Sequence, residues 1–352
     1  MKKLLPLCLI GTFTLFGSLG CSNSSQQGSN ATNSNSETTV LRFSHFYPST
    51  SDINQQIFEP WAKKIEADSK GRLKVEVYPS ATLSKADSAY ESAVKGTIDI
   101  GSQVQGYTSG RFPLTQIAEL PGLSNSSTQT GCMLQTLYDN GAISSEYEDS
   151  HLLFMFATGP GSLHTTDRPI RTPEDMKGLR IRRPSTVAGD LIESMGASPV
   201  GLPANDIYTS LQRGVVDGLS FPWEAMQTFK LDELTKYHTN VPFYSSALMV
   251  TMNKEKYESL PSDLQKVIDD NSGMAWSKKV GEMWDKTDKE GLQAARDNGD
   301  VVIDILDPLN DPNWKGALEK GTRKYLDEVK ALGLDADGVY EKAKAASIAC
   351  RT

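Results

Sequence analysis

Short bursts in which apolar and polar residues alternate are followed along this chain by stretches where apolar residues return every three or four positions. Leu41-Arg42-Phe43-Ser44-His45-Phe46-Tyr47 is the first burst, closed by Pro48, and its period of two predicts a strand. Asp52 to Ser69 then sets Ile53, Ile57, Trp61 and Ile65 on one face of a helix. Leu73-Lys74-Val75-Glu76-Val77-Tyr78 alternates again. Ser84 to Lys95 predicts a second helix capped by Gly96, and Thr97-Ile98-Asp99-Ile100 opens a third strand. The same order recurs further on: Leu179 to Arg183 as strand, Val187 to Met195 as helix, Pro199 to Leu202 as strand, Asn205 to Arg213 as helix, Val215 to Phe221 as strand. Lys95-Gly96-Thr97-Ile98-Asp99 corresponds in kind to Arg213-Gly214-Val215-Val216-Asp217, and Ser102 falls opposite Ser220. The pattern predicts an α/β protein of two equivalent parallel units.

The two ends follow different rules. Lys2 and Lys3 precede an apolar run from Leu4 to Phe16, then Gly17, Ser18, Gly20 and Cys21, which predicts a secretory signal over 1–20. Cys21 after Gly20 resembles a bacterial lipobox, whose cysteine becomes a lipidated N-terminus. Ser18 stands where an aliphatic residue is usual, so a plain signal with an unmodified cysteine is the alternative. Residues 21–39, almost all Ser, Asn, Gln, Gly and Thr, cannot bury apolar surface and read as a flexible tether. At the other end, Trp314 to Leu332 and Asp337 to Ala346 have the spacing of helices packed on the outside of a lobe, and no chemistry is assigned to them.

Composition narrows the choice of function. At 352 residues and 38% hydrophobic content the chain can build two cores. A net charge of -8 without any basic block or stripe argues against a nucleic-acid partner. The four histidines, His45, His151, His164 and His238, show no HExxH or related spacing, and no GxSxG, P-loop or dinucleotide fingerprint occurs. No catalytic residue, metal or cofactor is therefore expected, and His164 reads as a structural histidine. Of the four cysteines, Cys8 lies in the signal and Cys21 at its end. Cys132 and Cys350 either pair in an oxidising compartment or remain two thiols.

Lys177-Gly178-Leu179-Arg180-Ile181-Arg182-Arg183-Pro184 carries the main chemical signal. It predicts a strand that delivers a guanidinium to its C-terminal end, where open α/β sheets bind ligands. Arg presents a planar fork that matches a carboxylate in two parallel hydrogen bonds. Arg180 and Arg183 read as a solvated basic edge, and Arg182 as the ligand-binding cation. Two facing lobes would create a cleft lined by His45, Phe46, Tyr47, Gln103 and Gln105 from the first, and by Arg182, Ser185, Phe221, Trp223 and Glu224 from the second. One cation, several amides and hydroxyls and aromatic walls suit a small organic ligand.

Six fragments together resemble the solute-binding subunits of tripartite ATP-independent periplasmic (TRAP) transporters, the DctP-like family. They are Leu41 to Pro48, Arg72 to Ser80, Ala93 to Asp99, Asp175 to Arg182, Leu211 to Gly218, and Met252-Asn253-Lys254 with Leu260-Pro261. The resemblance implies a periplasmic-binding-protein type II fold of two lobes, with crossing strands near Thr158 to Gly161 and Ser245 to Val250. A long helix from Ser262 to about Asn298 would brace both lobes, burying Leu264, Val267, Ile268, Met274, Val280 and Trp284. Lobe I would hold 40–159 and about 248–287, and lobe II 160–247 and about 288–352. It also implies an extracytoplasmic protein, membrane-bound by its lipid anchor only, that holds a ligand carboxylate through Arg182 and hands the ligand to the TRAP membrane subunits. A sensor of the same fold, or a receptor for a non-carboxylate solute, is the alternative. Family members commonly place Asn before the proline after the third strand, where this chain has Phe221-Pro222-Trp223-Glu224. That exchange predicts a monocarboxylate with an apolar or aromatic body rather than a C4-dicarboxylate, with any hydroxyl or amino group received by Glu224 or a glutamine.

Overall fold

In the computed structural model, which describes residues 38–351, the first alternating burst becomes β1 (Thr39–Ser44), with Leu41 and Phe43 buried and Val40 and Arg42 exposed. The signal segment, Cys21 and the tether up to residue 37 lie outside the described residues. After β1 the chain winds as a wide π-type turn over Ile53–Phe58 before α1 (Glu59–Asp68). Pro60 explains the change of pitch, because it has no N–H to give to the preceding turn. Then follow β2 (Leu73–Tyr78), α2 (Ala89–Val94) and β3 (Ile100–Val104). α2 is shorter than its pattern predicts, because Ser84 is held in a turn by Ser44, its N–H lying 3.2 Å from Ser44 Oγ.

The second unit repeats the first after α3 (Ser127–Asp139), β4 (Ser150–Pro160) and β5 (Ser162–Thr165). It consists of β6 (Arg180–Arg183), α4 (Thr186–Ser194), β7 (Ser198–Gly201), α5 (Ala204–Gln212) and β8 (Gly218–Phe221). The internal repeat extends to side-chain detail. In lobe I the backbone N–H and Nε of Arg42 both donate to Asp99 Oδ2, at 2.7 and 3.1 Å. In lobe II the backbone N–H and Nε of Arg180 both donate to Asp217 Oδ2, at 2.8 and 3.0 Å. Each aspartate thus ties the start of a third strand to the first, and both third strands begin just after it rather than at Thr97 or Val215.

The remaining elements are α6 (Trp223–Thr228), β9 (Tyr237–Asn240), β10 (Ser245–Asn253), α7 (Lys254–Glu258), α8 (Ser262–Asp270), α9 (Met274–Asp297), β11 (Val301–Asp304), α10 (Lys315–Ala331) and α11 (Ala336–Ala349). Two sheets result, in the orders β2-β1-β3-β10-β4 and β11-β9-β5-β8-β6-β7. Within them β2-β1-β3 and β7-β6-β8 are parallel, while β10 runs antiparallel to β3 and β5 antiparallel to β8. The expected two-lobed α/β architecture is present. The chain crosses between sheets at Gly161, between β4 and β5, and again over 241–244, a few residues before the second expected crossing. These crossings touch: Gly161 N–H donates to Tyr244 O at 2.8 Å, and a Cβ on Gly161 would lie 2.1 Å from the Tyr244 ring.

The brace is two helices rather than one. α8 and α9 are separated at Gly273, where φ is +70°, and Trp61 Nε1 and Gly273 N–H fasten the break to lobe I through Asn271 O (2.8 Å) and Leu153 O (2.7 Å). α9 then serves both lobes through acids one turn apart. Asp285 accepts from Ser127 N–H (2.6 Å) and Thr128 N–H (3.1 Å) at the start of α3, and Asp288 accepts from Glu224 N–H (3.0 Å) at the start of α6. Each satisfies N-terminal donors that a helix cannot satisfy itself. Among the described residues no helix is long and apolar enough to cross a membrane.

The C-terminal tail divides between lobes, which corrects the assignment of all of 288–352 to lobe II. α10 packs on α4, with Lys324 2.7 Å from Asp190, but α11 returns to α3, where Gln129 Nε2 donates to Ser347 O at 3.0 Å. Cys132 on α3 and Cys350 after α11 are joined, with S–S 2.04 Å and Cα–Cα 5.9 Å. This bridge spans a sequence separation of 218 residues, but the packing of α11 on α3 already holds its ends together. Reduction with dithiothreitol should therefore lower stability by about 2–4 kcal/mol and the melting midpoint by roughly 5 °C. An unchanged midpoint in calorimetry would show that the pair contributes nothing to the fold.

Candidate functional site

β6 ends at the junction of the lobes, and although its period of two puts Arg180 and Arg182 on one face, their surroundings differ. Arg180 is exposed on its aspartate, whereas Arg182 has no accessible surface. Arg182 Nε donates to Leu202 O at 2.9 Å, Nη1 to Ser220 O at 3.2 Å and Nη2 to the Tyr107 hydroxyl at 3.2 Å, while the Phe221 ring lies 4.8 Å from its central carbon. Every one of these partners is neutral. Among the described residues no carboxylate lies within ion-pair distance of this guanidinium, and two of its five N–H donors are left over. A buried cation without an anion is an expensive arrangement, so the geometry calls for an anionic guest.

The lobes are closed on one another. Tyr107, from lobe I, reaches into lobe II and also accepts from Ala204 N–H at 3.1 Å, at the first residue of α5. Gln116 Oε1 accepts from Thr186 N–H (3.1 Å) at the start of α4, and Asn205 Nδ2 donates to Phe46 O (3.1 Å). Between the lobes lies a narrow pocket. Phe46, Tyr47, Val104 and Tyr107 line it from lobe I, and Pro184, Ala204, Phe221, Pro222, Glu224, Ala225 and Phe229 from lobe II. Thr158 and Ser246 on the crossing strands complete it. Aromatic rings dominate: Phe46 stacks on Tyr47 at 4.2 Å, and Phe229 stands 5.8 Å from Phe221 and 6.2 Å from Tyr47. The walls suit a flat apolar body.

One buried acid, Glu224, lines this pocket, and two more, Asp288 and Glu119, line neighbouring clefts. Burial, with Asp288 nearby, pushes the Glu224 carboxyl up to about 8. Burial likewise raises Asp288 to about 7 and Glu119 to about 7. At neutral pH Glu224 is mostly a neutral acid, which spares an anionic ligand a second negative charge in the same space.

Of the ten cleft residues expected from sequence, Phe46, Tyr47, Phe221 and Glu224 line the pocket, and Arg182 does not line it but touches two of its walls, Tyr107 and Phe221. The other five do not reach it. His45 Nε2 bonds Asn54 Oδ1 at 2.9 Å among the rings of Phe43, Tyr47 and Phe58, and burial lowers it to about 4. Gln103 Oε1 accepts from Tyr90 N–H (2.9 Å) at the start of α2, and Gln105 Nε2 donates to the Tyr147 hydroxyl (3.3 Å). Ser185 is the N-cap of α4, its Oγ accepting from Ala188 N–H at 3.2 Å. Trp223 turns away and gives Nε1 to Asn240 Oδ1 at 3.1 Å. In each case a nearby backbone or side-chain partner engages a polar atom of the side chain, which a strand-end rule cannot anticipate, while His45 Nδ1 and Gln105 Oε1 stay buried without one among the described residues. His164 is the expected structural histidine, with Nδ1 2.8 Å from His238 Nδ1 and Nε2 3.1 Å from Phe221 O. Sequence reasoning missed Tyr107 and Phe229. Tyr107 lies two residues beyond Gln105, so a wider window at the end of β3 would have included it.

A family model described as bacterial extracellular solute-binding protein, family 7 (DctP), matches residues 43–328. Three solved structures illustrate what the fold is similar to. One is a TRAP solute-binding protein from a marine metagenome, described as specific for aromatic acid ligands and bound to 3-hydroxybenzoate; it is 33% identical, covers 90% of this chain and 100% of its own, and has a TM-score of 0.84. A TRAP solute-binding protein from Rhodoferax ferrireducens with copurified benzoate is 30% identical, over 89% of this chain and 98% of its own, with a TM-score of 0.81. A Bordetella bronchiseptica relative bound to (R)- and (S)-mandelate is 26% identical, over 89% and 100%, with a TM-score of 0.80.

Proposed function

This chain belongs to family 7 of the bacterial extracellular solute-binding proteins, the DctP family of TRAP transporter subunits, and from that premise we propose that its cleft captures an aromatic monocarboxylate. The observation that carries the proposal is the fully buried Arg182 guanidinium, which has no anion of its own and borders a pocket walled by Phe46, Tyr47, Phe221 and Phe229. The ligand carboxylate takes the free donors of Arg182 as a charge-assisted pair, and the ring fills the aromatic space. The benzoate, hydroxybenzoate and mandelate bound by the three similar proteins support this class. The closed protein then delivers its ligand to the TRAP membrane subunits, working outside the cytoplasmic membrane and held there through Cys21.

Phe221 argues against a dicarboxylate, because a second carboxylate among these rings would be desolvated without a partner. A thermal-shift screen tests this. Ligand at a hundredfold excess over its dissociation constant stabilises the folded state by about 2.7 kcal/mol. Benzoate, mandelate or a hydroxybenzoate should raise the midpoint, and succinate and malate should not. Tight binding of succinate or malate with no response to any aromatic acid would overturn the assignment.

A further inference from the structure

The far side of the pocket carries polar chemistry that a plain aromatic acid would leave unused. Arg182 stands on the side of Phe221 and Tyr107, whereas Glu224 stands on the side of Tyr47 and Thr228. Tyr47 and Glu224 are only 3% and 8% exposed, and both line the pocket. Among the described residues the Tyr47 hydroxyl makes no hydrogen bond. Glu224 uses one oxygen, Oε2, to accept from Thr228 Oγ1 at 3.2 Å. Among the described residues neither group has a cationic partner, and the acids that act on Glu224 are Asp288 and Asp52. Two nearly buried polar groups aimed at one apolar space call for a ligand atom that can satisfy both.

We infer that the ligand ring carries a hydroxyl group on the side away from its carboxylate, and that Glu224 and Tyr47 together receive it. This deepens the aromatic-acid assignment and rests on it. A phenolic hydroxyl both donates and accepts, and so do the hydroxyl of Tyr47 and a protonated carboxyl, so the three groups close a small hydrogen-bonded circuit. The raised proton affinity of Glu224 supports this, because a neutral acid keeps its proton for such a bond at pH 7. An ammonium group is the contrasting guest. It would require the ionised carboxylate, against burial and against Asp288.

Isothermal titration of the mature chain with benzoate, 3-hydroxybenzoate, 4-hydroxybenzoate and 3-(aminomethyl)benzoate separates these cases. One hydroxybenzoate should bind at least about tenfold more tightly than benzoate, since a site built to pair a hydroxyl discriminates against its absence. In Glu224→Leu that ratio should collapse towards unity, and Glu224→Gln, which keeps a donor and an acceptor, should retain part of it. Circular dichroism melting of both variants establishes that they are folded. Benzoate binding as tightly as both hydroxybenzoates, a preference that survives Glu224→Leu, or the aminomethyl compound binding tightest would each overturn the inference while leaving the aromatic-acid assignment standing. Failure of every aromatic acid would remove both.

Discussion

Arg182→Ala should abolish measurable binding of aromatic acids, while the melting midpoint of the ligand-free protein should stay the same or rise. The two halves of this result have one cause. The guanidinium is fully buried, and its three hydrogen bonds go to Leu202 O, Ser220 O and the Tyr107 hydroxyl, none of which neutralises it. In the ligand-free protein it is a desolvated charge, so its removal need not destabilise the fold. In the proposed complex it would be the partner of the ligand carboxylate. Truncating one side of such a pair costs about 2–5 kcal/mol, roughly thirtyfold to several thousandfold in Kd. Arg182→Lys should also bind poorly, because an ammonium cannot hold Leu202 O and Ser220 O and still present two parallel donors to a carboxylate. Calorimetric titration together with a melting curve checks both halves. Affinity unchanged in Arg182→Ala would move the anion site elsewhere, and a collapsed fold would make Arg182 a structural residue first.

Arg182 could be picked out as a candidate because three local signals meet there: an alternating strand, a terminating proline and a cation near the strand end where parallel sheets bind ligands. The repeat was legible for the same kind of reason. Lys95 to Asp99 and Arg213 to Asp217 are local patterns, and their aspartates make equivalent bonds to Arg42 and Arg180. What sequence could not supply is the direction of a side chain at a strand end. Gln103 and Gln105 look as suitable as Tyr47 in one dimension, yet each amide finds a partner inside lobe I, at Tyr90 N–H and the Tyr147 hydroxyl. Contacts made only by closure were equally out of reach. Tyr107 becomes part of the site because lobe II comes to it, and nothing within thirty residues of it in the chain indicates Ala204 or Arg182. The return of α11 to α3 is likewise a long-range event, with Cys132 and Cys350 the one trace of it in the sequence.

Closure itself can be blocked at one atom. Gly106, just beyond β3, faces the start of α4 across the cleft. A Cβ there would lie 2.4 Å from Ser185 Cβ, 2.6 Å from Pro184 O and 2.6 Å from Ser185 Cα. Two of these three are backbone atoms of the opposing lobe and cannot swing aside as a flexible side chain would. The lobes would have to part by about 1 Å to restore ordinary contact distances. The bonds from Arg182 and Ala204 to Tyr107, at 3.2 and 3.1 Å, would not survive that separation. Gly106→Val should therefore fold normally, since its contacts within lobe I are untouched, yet bind aromatic acids at least about a hundredfold more weakly, because the two lobes no longer meet around the ligand. Small-angle scattering supplies the second readout. The radius of gyration should be larger in Gly106→Val than in the unsubstituted protein, with ligand present in both. Arg182→Ala leaves the closing surfaces sterically free and removes the charge, whereas Gly106→Val leaves the charge and removes the closure. Full affinity with an unchanged radius of gyration in Gly106→Val would mean that the ligand is held in an arrangement of the lobes different from this one, with the carboxylate bound by Arg182 but the wall formed by lobe I displaced.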